Sequence, residues 1–324
     1  MTLTTADLSR FQEEGFLHVR GLLNREEDLQ PLVDEYKEVV ARAAIDLRQR
    51  GLVRSTHSAL PFAQQIARLF EDSDGELHKY LDIALPQRGV TKTTPMHNGP
   101  AIFDLMRHPR LLDAVEVFIG PEIYSNPTQH VRIKPPVRCV ERHSKAIGEI
   151  STTVWHQDQG TVTSDADDSN VLTAWIAVTE ANKVNGCLLI APGSHKRGLA
   201  VHCHDQKANY SRQAIPESLL GETRIAVEVQ PGDVIFLHKL TMHASLPNVS
   251  DGLRWSLDFR YNPIGQPTGR SWFPGFIARS RDRPESELHD AAQWAALWQA
   301  ARDALVAHPP TSFQRWSEDD PACA

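Results

Sequence analysis

Apolar side chains recur at helical spacing from Leu29 through Leu32, Tyr36, Val39, Val40 and Ala43 to Leu47, and Gly51 follows where a helix would stop. The same period marks residues 3–14, with Thr4 or Thr5 as N-cap, the segment LPFAQQIARLF (60–70), and PAIFDLMRHPRLLDAVEVFIG (100–120), read as one or two helices ending at Gly120. GFLHVRGLL (15–23) reads as an early strand. After about residue 120 the pattern changes to short β-prone runs at 128–133, 151–158, 171–179, 186–191, 224–229, 233–238 and 254–261. VNG (184–186), APGSH (191–195) and QPGD (230–233) punctuate them. A last helical stretch at about 285–307 puts Leu288, Ala291, Ala295, Trp298, Arg302 and Leu305 on one side. Many short strands with Gly/Pro turns predict a mainly β sandwich or jelly roll with flanking helices. No repeat or linker interrupts the chain. The expectation is one domain over 1–324, with a β core at about 120–262, helices over 1–119, and a lid and helix over 263–324.

Composition narrows the partners. The 324 residues are 41% hydrophobic and 23% charged, as in ordinary soluble proteins, and the net charge of −7 offers no footprint for nucleic acid or an anionic membrane. The first residues lack the pattern of a signal peptide, and no apolar run is long enough for a membrane span. Cys139, Cys187, Cys203 and Cys323 are scattered with no CxxC pair, which predicts free thiols and a reducing cytoplasm.

The chemistry starts at TTVWHQDQGTV (152–162). In a strand, His156 and Asp158 share one face while Trp155 and Gln157 point elsewhere. They either hydrogen-bond to each other or grip a divalent metal together. With 15 histidines, roughly one HxD is expected by chance, so the pair alone is weak. In DVIFLHKLTMHASLPN (233–248), His238 or His243 is available as a third ligand from a neighbouring strand. In LRWSLDFRY (253–261), Arg254, Ser256, Asp258 and Arg260 share one face, and Trp255, Leu257, Phe259 and Tyr261 the other. The second face should pack on the core; the first either meets solvent or lines a polar barrel interior. Two histidines and a carboxylate on one side of a metal leave the opposite positions open, as in non-heme Fe(II) oxygenases. A nearby arginine suits the far carboxylate of 2-oxoglutarate.

With those pieces in order, the sequence resembles the phytanoyl-CoA dioxygenase family of Fe(II)/2-oxoglutarate oxygenases. WHQDQ (155–159) resembles the family's HxD strand, LTAWIAV (172–178) the next strand, and NGCLLIAPGSHKRG (185–198) the strand and turn that follow. PGDVIFLHKLTMHAS (231–245) resembles the strand carrying the distal histidine, and Arg254 lies eleven residues after His243. VTK (90–92) and the IGPEI to KPP region (119–136) extend the likeness, which runs from about residue 8 to 262.

The resemblance implies a double-stranded β-helix, a cupin-like jelly-roll barrel with iron at its mouth. It implies His156, Asp158 and His243 as iron ligands, with Arg254 and Ser245 at the far carboxylate of 2-oxoglutarate. Trp175, Lys92, His130 and Arg132 become further cosubstrate residues, with Gln129 as the alternative to His130. The implied activity is hydroxylation or another oxidation of an aliphatic C–H in a small-molecule metabolite, with Fe(II) as cofactor, 2-oxoglutarate and O2 as cosubstrates, and succinate and CO2 released. Asp158 favours hydroxylation over halogenation, because halogenating relatives have a small residue there. Competing readings are a zinc hydrolase using the same His/Asp/His set and a non-catalytic ligand-binding jelly roll. His195 reads as a loop residue, the His202/His204 pair as a weak metal candidate, and His238 as packing without ligating. The acidic 164–170 segment reads as a solvated loop, and Trp294 with Trp298 as helix core. Entrance loops are expected at 52–90, 138–150, 160–170, 199–222 and 263–283, with Arg270 and Trp272 near the mouth. Substrate identity and oligomeric state are not legible.

Overall fold

The computed structural model describes residues 3–139, 152–204, 213–310, 315–316 and 320–323. Its helices follow the 3.6-residue patterns. Helix α1 (Thr5–Glu14) is capped by Thr4, whose hydroxyl accepts from the Asp7 N–H while Asp7 reaches back to the Thr4 N–H. One wide turn (Arg25–Leu29) opens α2 (Gln30–Gln49), which buries Leu32, Tyr36, Val39, Val40, Ala43, Ala44 and Leu47. Helices α3 (Phe62–Asp72), α4 (His78–Leu81), α5 (Pro100–Met106) and α6 (Pro109–Ile119) follow. The 100–120 segment is thus two helices, divided before Pro109, which opens α6.

The β portion forms two principal sheets. The larger takes in β1 (Phe16–Val19), β2 (Ile123–Ser125), β3 (His130–Lys134), β4 (Leu172–Ala177), β9 (Val234–His238), β11 (Arg254–Pro263) and β12 (Phe276–Arg279). Its order is β1-β9-β4-β11-β2-β12, with β3 also paired to β11. The smaller sheet is β10-β5-β8, from His243–Ser245, Leu188–Ile190 and Ile225–Val227. A short hairpin pairs β6 (Cys203–His204) with β7 (Gln213–Ala214). Every pairing is antiparallel. Two facing antiparallel sheets with flanking helices are the architecture of the expected jelly roll.

Strand alternation sorts the core. One face of the large sheet sends Val131, Ile133, Ala174, Ile176, Trp255, Leu257, Phe259 and Tyr261 into a cluster shared with α2, α3, α5 and α6. Each such fully buried side chain contributes roughly 1.5–3 kcal/mol. The other face places Trp175, Ala177, Ile235 and Leu237 against Leu188, Ile190 and Val227 of the smaller sheet. That second cluster fills the barrel interior below the polar site. The closing helix α7 (Ala291–Ala307) buries Trp294, Trp298 and Leu305, so the two tryptophans are helix core as expected.

Two expectations fail. Within the described part of 151–158 there is no ladder strand, only a single bridge between His156 and His243; of the expected entrance loops, 140–150 and 205–212 lie outside the described residues. Nor are all four cysteines free: Cys203 and Cys323 form a disulfide, leaving Cys139 and Cys187 as buried thiols. A pair separated by 120 residues leaves no spacing signal, so counting motifs could not find it. The reducing-compartment expectation loses the support it drew from four free thiols. Among the described residues, no helix is long and apolar enough to cross a membrane.

Candidate metal centre and cosubstrate pocket

The two histidines meet through one hydrogen-bonded backbone pair. The His156 N–H donates to the His243 carbonyl at 3.0 Å, and the His243 N–H returns to His156 at 2.9 Å. Residues paired this way stand side by side, and the imidazole centroids are 4.2 Å apart. Extended backbone at Gln157 (φ −112°, ψ 141°) turns Asp158 to the same side, where it opens a 3-10 turn, Asp158–Thr161. The face-sharing logic therefore holds locally without a full strand.

Both rings are oriented by carbonyls. His156 Nδ1 lies 2.9 Å from the Val154 carbonyl and His243 Nδ1 3.0 Å from that of Thr241. A carbonyl only accepts, so Nδ1 carries the proton and the Nε2 lone pair is left for a metal. Asp158 Oδ1 is 3.7 Å from His156 Nε2 and 4.0 Å from His243 Nε2, and the three donor atoms all lie within 4.8 Å of one another. The Thr173 hydroxyl donates to Asp158 Oδ2 at 2.5 Å and Arg260 Nη2 to Oδ1 at 2.5 Å. Thr173 and Arg260 are cross-strand partners on β4 and β11, so one rung of the sheet clamps the carboxylate. Each carboxylate oxygen has a second lone-pair direction, left open toward the histidines.

The electrostatics agree with that role. Burial alone would raise the Asp158 pKa, but the Arg260 guanidinium, then His243 and His156, hold it well below the usual carboxylate range. Burial, then His243, keeps His156 well below the ordinary imidazole value, in the neutral form that ligates. Two Nε2 atoms with their Nδ1–H groups turned to carbonyls, and one ionised carboxylate, fit the donor set of a facial Fe(II) site.

Along the same interior face lies a basic pocket. Arg254 is 1% exposed, donates to the Ser256 hydroxyl at 2.5 Å, and has its guanidinium carbon 5.6 Å from the Trp175 ring centroid. Its cross-strand partner is Lys134, also buried, whose ammonium donates to the Ser245 hydroxyl. Like charges directly opposite in an antiparallel pair repel. No described carboxylate lies within ion-pair distance of Arg254, and burial, only partly opposed by Asp258, brings its pKa down to about 10. The structure thus links Arg254 directly to Trp175 and, through Lys134, to Ser245.

The other expected cosubstrate residues are engaged elsewhere or remote. His130 and Arg132 share the inward face, as the alternation favoured, but His130 Nδ1 lies 2.8 Å from Asp82 Oδ2 and Arg132 Nε is 3.4 Å from Asp258 Oδ2. Gln129 donates instead to Ser125 and to the Asn126 carbonyl. Lys92 sits exposed in a turn, with no hydrogen bond or ion pair to the described residues, and is not brought to Arg254.

Sequence reasoning missed Lys134, Thr173 and the clamping role of Arg260. All three were within reach of strand alternation: Lys134 continues 130 and 132, Thr173 precedes Trp175 by two, and Arg260 lies on the polar face already marked. No pattern signalled the support behind the ligand segment. The Gln157 amide donates to the Gly198 and Leu240 carbonyls, and its oxygen accepts from the Ala200 N–H. His202 accepts the Gln157 N–H at 3.0 Å through Nε2 and donates Nδ1–H to Ala200, so both its nitrogens are committed. Trp316 stacks on His202 and donates to the Gly160 carbonyl, while Arg315 grips Asp167 through two bonds of 2.6 and 2.7 Å. Gly160 is needed here: a Cβ would lie 2.1 Å from His202 Cε1. His195 and His238 pack against each other outside the metal cluster, as expected.

The family model for phytanoyl-CoA dioxygenase (PhyH) matches residues 11–256. A probable phytanoyl-CoA dioxygenase of Caenorhabditis elegans is 27% identical over 182 residues, covering 54% of this chain and 55% of that one; the chain therefore aligns with little more than half of that relative. The 1-deoxypentalenic acid 11-beta-hydroxylase of Streptomyces arenae is 28% identical over 256 residues, covering 76% of this chain and 85% of the relative. Among solved structures, the non-heme alpha ketoglutarate dependent epimerase SnoN from nogalamycin biosynthesis superposes with a TM-score of 0.50 at 20% identity, covering 82% of this chain and 85% of that one.

Proposed function

The chain belongs to the phytanoyl-CoA dioxygenase family, whose members use Fe(II), 2-oxoglutarate and O2, and from that premise we propose that it hydroxylates an aliphatic C–H of a small-molecule metabolite. The observation that carries this reading is the His156/Asp158/His243 cluster, with both Nε2 atoms and the carboxylate turned to one point. Bound there, Fe(II) with 2-oxoglutarate and O2 supplies the oxidation of an unactivated C–H, with release of succinate and CO2.

The protein's own contribution is orientation and exclusion of water. Val154 and Thr241 fix the imidazole tautomers. Arg260 and Thr173 keep Asp158 ionised and stationary. Arg254, with Ser245 and Lys134 beside it, offers a charge-assisted cradle for the far carboxylate of 2-oxoglutarate. Trp175 and the apolar residues around it wall that cradle from solvent, which strengthens every polar contact inside. Hydroxylation is preferred to halogenation because Asp158 fills the position a halide would need. The relatives oxidise different skeletons by their names, so the substrate itself is left to screening.

The test is anaerobic addition of Fe(II) and 2-oxoglutarate to metal-free protein. A weak visible charge-transfer band in the wild type, absent from Asp158→Ala, is the expected result. No band in the wild type with both ligands in excess would remove the oxygenase reading.

A further inference from the structure

Of the buried bases around the barrel, Arg260 is neutralised by Asp158 and Arg254 belongs to the cosubstrate cradle. Arg270 has neither explanation. It is 1% exposed, yet no described carboxylate pairs with it. One Nη2–H donates to the Thr161 carbonyl; Nη1 has no hydrogen-bond partner among the described residues. Its guanidinium carbon stands 5.7 Å from the Trp272 ring centroid. Burying a guanidinium without a counter-charge costs several kcal/mol in an effective low dielectric, and burial together with the nearby Arg260 lowers its pKa only to about 10, so it stays charged at neutral pH.

Its position ties it to the metal corner. Thr161 ends the turn that Asp158 begins, and the Thr161 hydroxyl donates back to the Asp158 carbonyl at 2.8 Å. The preceding Gly269 (φ +68°) packs so closely on the same segment that a Cβ would lie 2.6 Å from Val162 Cβ, and its carbonyl accepts the Thr163 N–H. Arg270 is therefore held rigidly against the ligand-bearing turn. On the Arg260 side, Nη1 donates to the Thr128 carbonyl at 2.7 Å, while Arg260 Nε and the Thr128 hydroxyl are themselves buried without partners. Three chain segments thus leave unsatisfied polar groups flanking one ligand, two of them guanidinium groups.

We propose that Arg270, backed by Arg260 and Thr128, is a substrate-anchoring residue that takes a carboxylate, so that the substrate of this enzyme is a carboxylic acid held with a C–H bond over the metal corner. The planar fork of a guanidinium matches a carboxylate in shape, and one free Nη1 beside one committed Nη2 suits a singly charged group better than a phosphate dianion. This rests on the oxygenase reading for the identity of the chemistry, but not for the existence of the anion site.

The test uses the anaerobic Fe(II)/2-oxoglutarate complex, so that the Arg254 cradle is already filled. Cyclohexanecarboxylate and its amide are titrated by calorimetry and by the shift of the visible band. Binding of the acid but not the amide, weakened about 10- to 100-fold in Arg270→Gln and partly kept in Arg270→Lys, supports the proposal, provided the Arg270→Gln protein still forms the band. Equal binding of acid and amide, equal binding by wild type and Arg270→Gln, or no binding of the acid at tens of millimolar overturns it. If the band itself never forms, the oxygenase reading fails separately. The same acid and amide titrated into metal-free Arg254→Met protein, with and without Arg270→Gln, then decide the anion site by the same criteria.

Discussion

At the metal corner one carboxylate answers a guanidinium and faces two imidazoles, and each of its oxygens already accepts a hydrogen bond. Farther along the same barrel face, Arg254 stands opposite Lys134 with no described carboxylate in ion-pair reach of it. The first region is balanced before anything binds. In the second, the Arg254 guanidinium has no described carboxylate partner, and an anion would complete it. A metal site must hold its ligands in place through each cycle, whereas a cosubstrate that is consumed has to be admitted and replaced, and a guanidinium without a described carboxylate serves that purpose.

The largest expected effect comes from breaking the balanced region. Asp158→Ala or His156→Ala should abolish metal-dependent 2-oxoglutarate turnover, measured as succinate release. Arg260→Leu should weaken Fe(II) binding by about 10- to 100-fold, as loss of an outer partner of a metal ligand does. Full turnover in either ligand variant would contradict the assignment.

The basic pocket should respond with opposite signs in two measurements. Arg254→Met removes a charge-assisted cradle, so the 2-oxoglutarate concentration at half-saturation should rise by about 100-fold or more. The same change removes a buried guanidinium without a described carboxylate partner, so the melting temperature without 2-oxoglutarate should stay the same or rise. Weaker binding accompanied by a lower melting temperature would mean that Arg254 is already neutralised in the free protein, and the contrast between the regions would be lost.

A smaller effect separates the regions by their support. Trp316 and the Cys203–Cys323 disulfide lie behind the metal corner, on His202 and beside it, and not behind Arg254. Chain-entropy reasoning gives a 120-residue loop at most about 5 kcal/mol. Cys323→Ser should therefore lower the melting temperature by several degrees while leaving the 2-oxoglutarate requirement within about twofold. An unchanged melting temperature would show that the tail adds no stability.

How much of this could be read from the chain depended on how local the cause was. Leu32 to Leu47 announced α2 because one face of one helix carries the signal. Arg254 to Tyr261 announced β11 and both its faces because alternation is a property of the strand alone. The ligands were legible because His156 and Asp158 are two apart and the family resemblance supplied His243. Lys92 was carried over from that resemblance without a packing argument, and it lies exposed in a turn. Partners distant in sequence left no trace: Asp82 on His130, Trp316 on His202 and Cys323 on Cys203 are facts of tertiary packing.

The smallest predicted effect is in acid, and it sharpens the same contrast. His202 supports the ligand segment by accepting the Gln157 N–H, which requires a neutral ring. Burial, assisted by the charge of Arg315, lowers its pKa to about 4, against about 6.5 in an unfolded chain. Between those values the unfolded state binds a proton that the folded state refuses. Stability is therefore lost as pH falls from about 6.5 toward 4, with a slope of at most about 1.4 kcal/mol per pH unit, and is level again below. Arg254, whose pKa is about 10, keeps its charge throughout that window and contributes no such slope. Amide hydrogen exchange at pH 5 should show protection falling over 156–161 before it falls over 254–258. His202→Asn, which can still accept the Gln157 N–H but does not titrate, should reduce the difference, the remainder belonging to His156, which burial also holds well below the ordinary imidazole value. Parallel loss of protection in both segments, or a slope unchanged in His202→Asn, would move the acid sensitivity to another group.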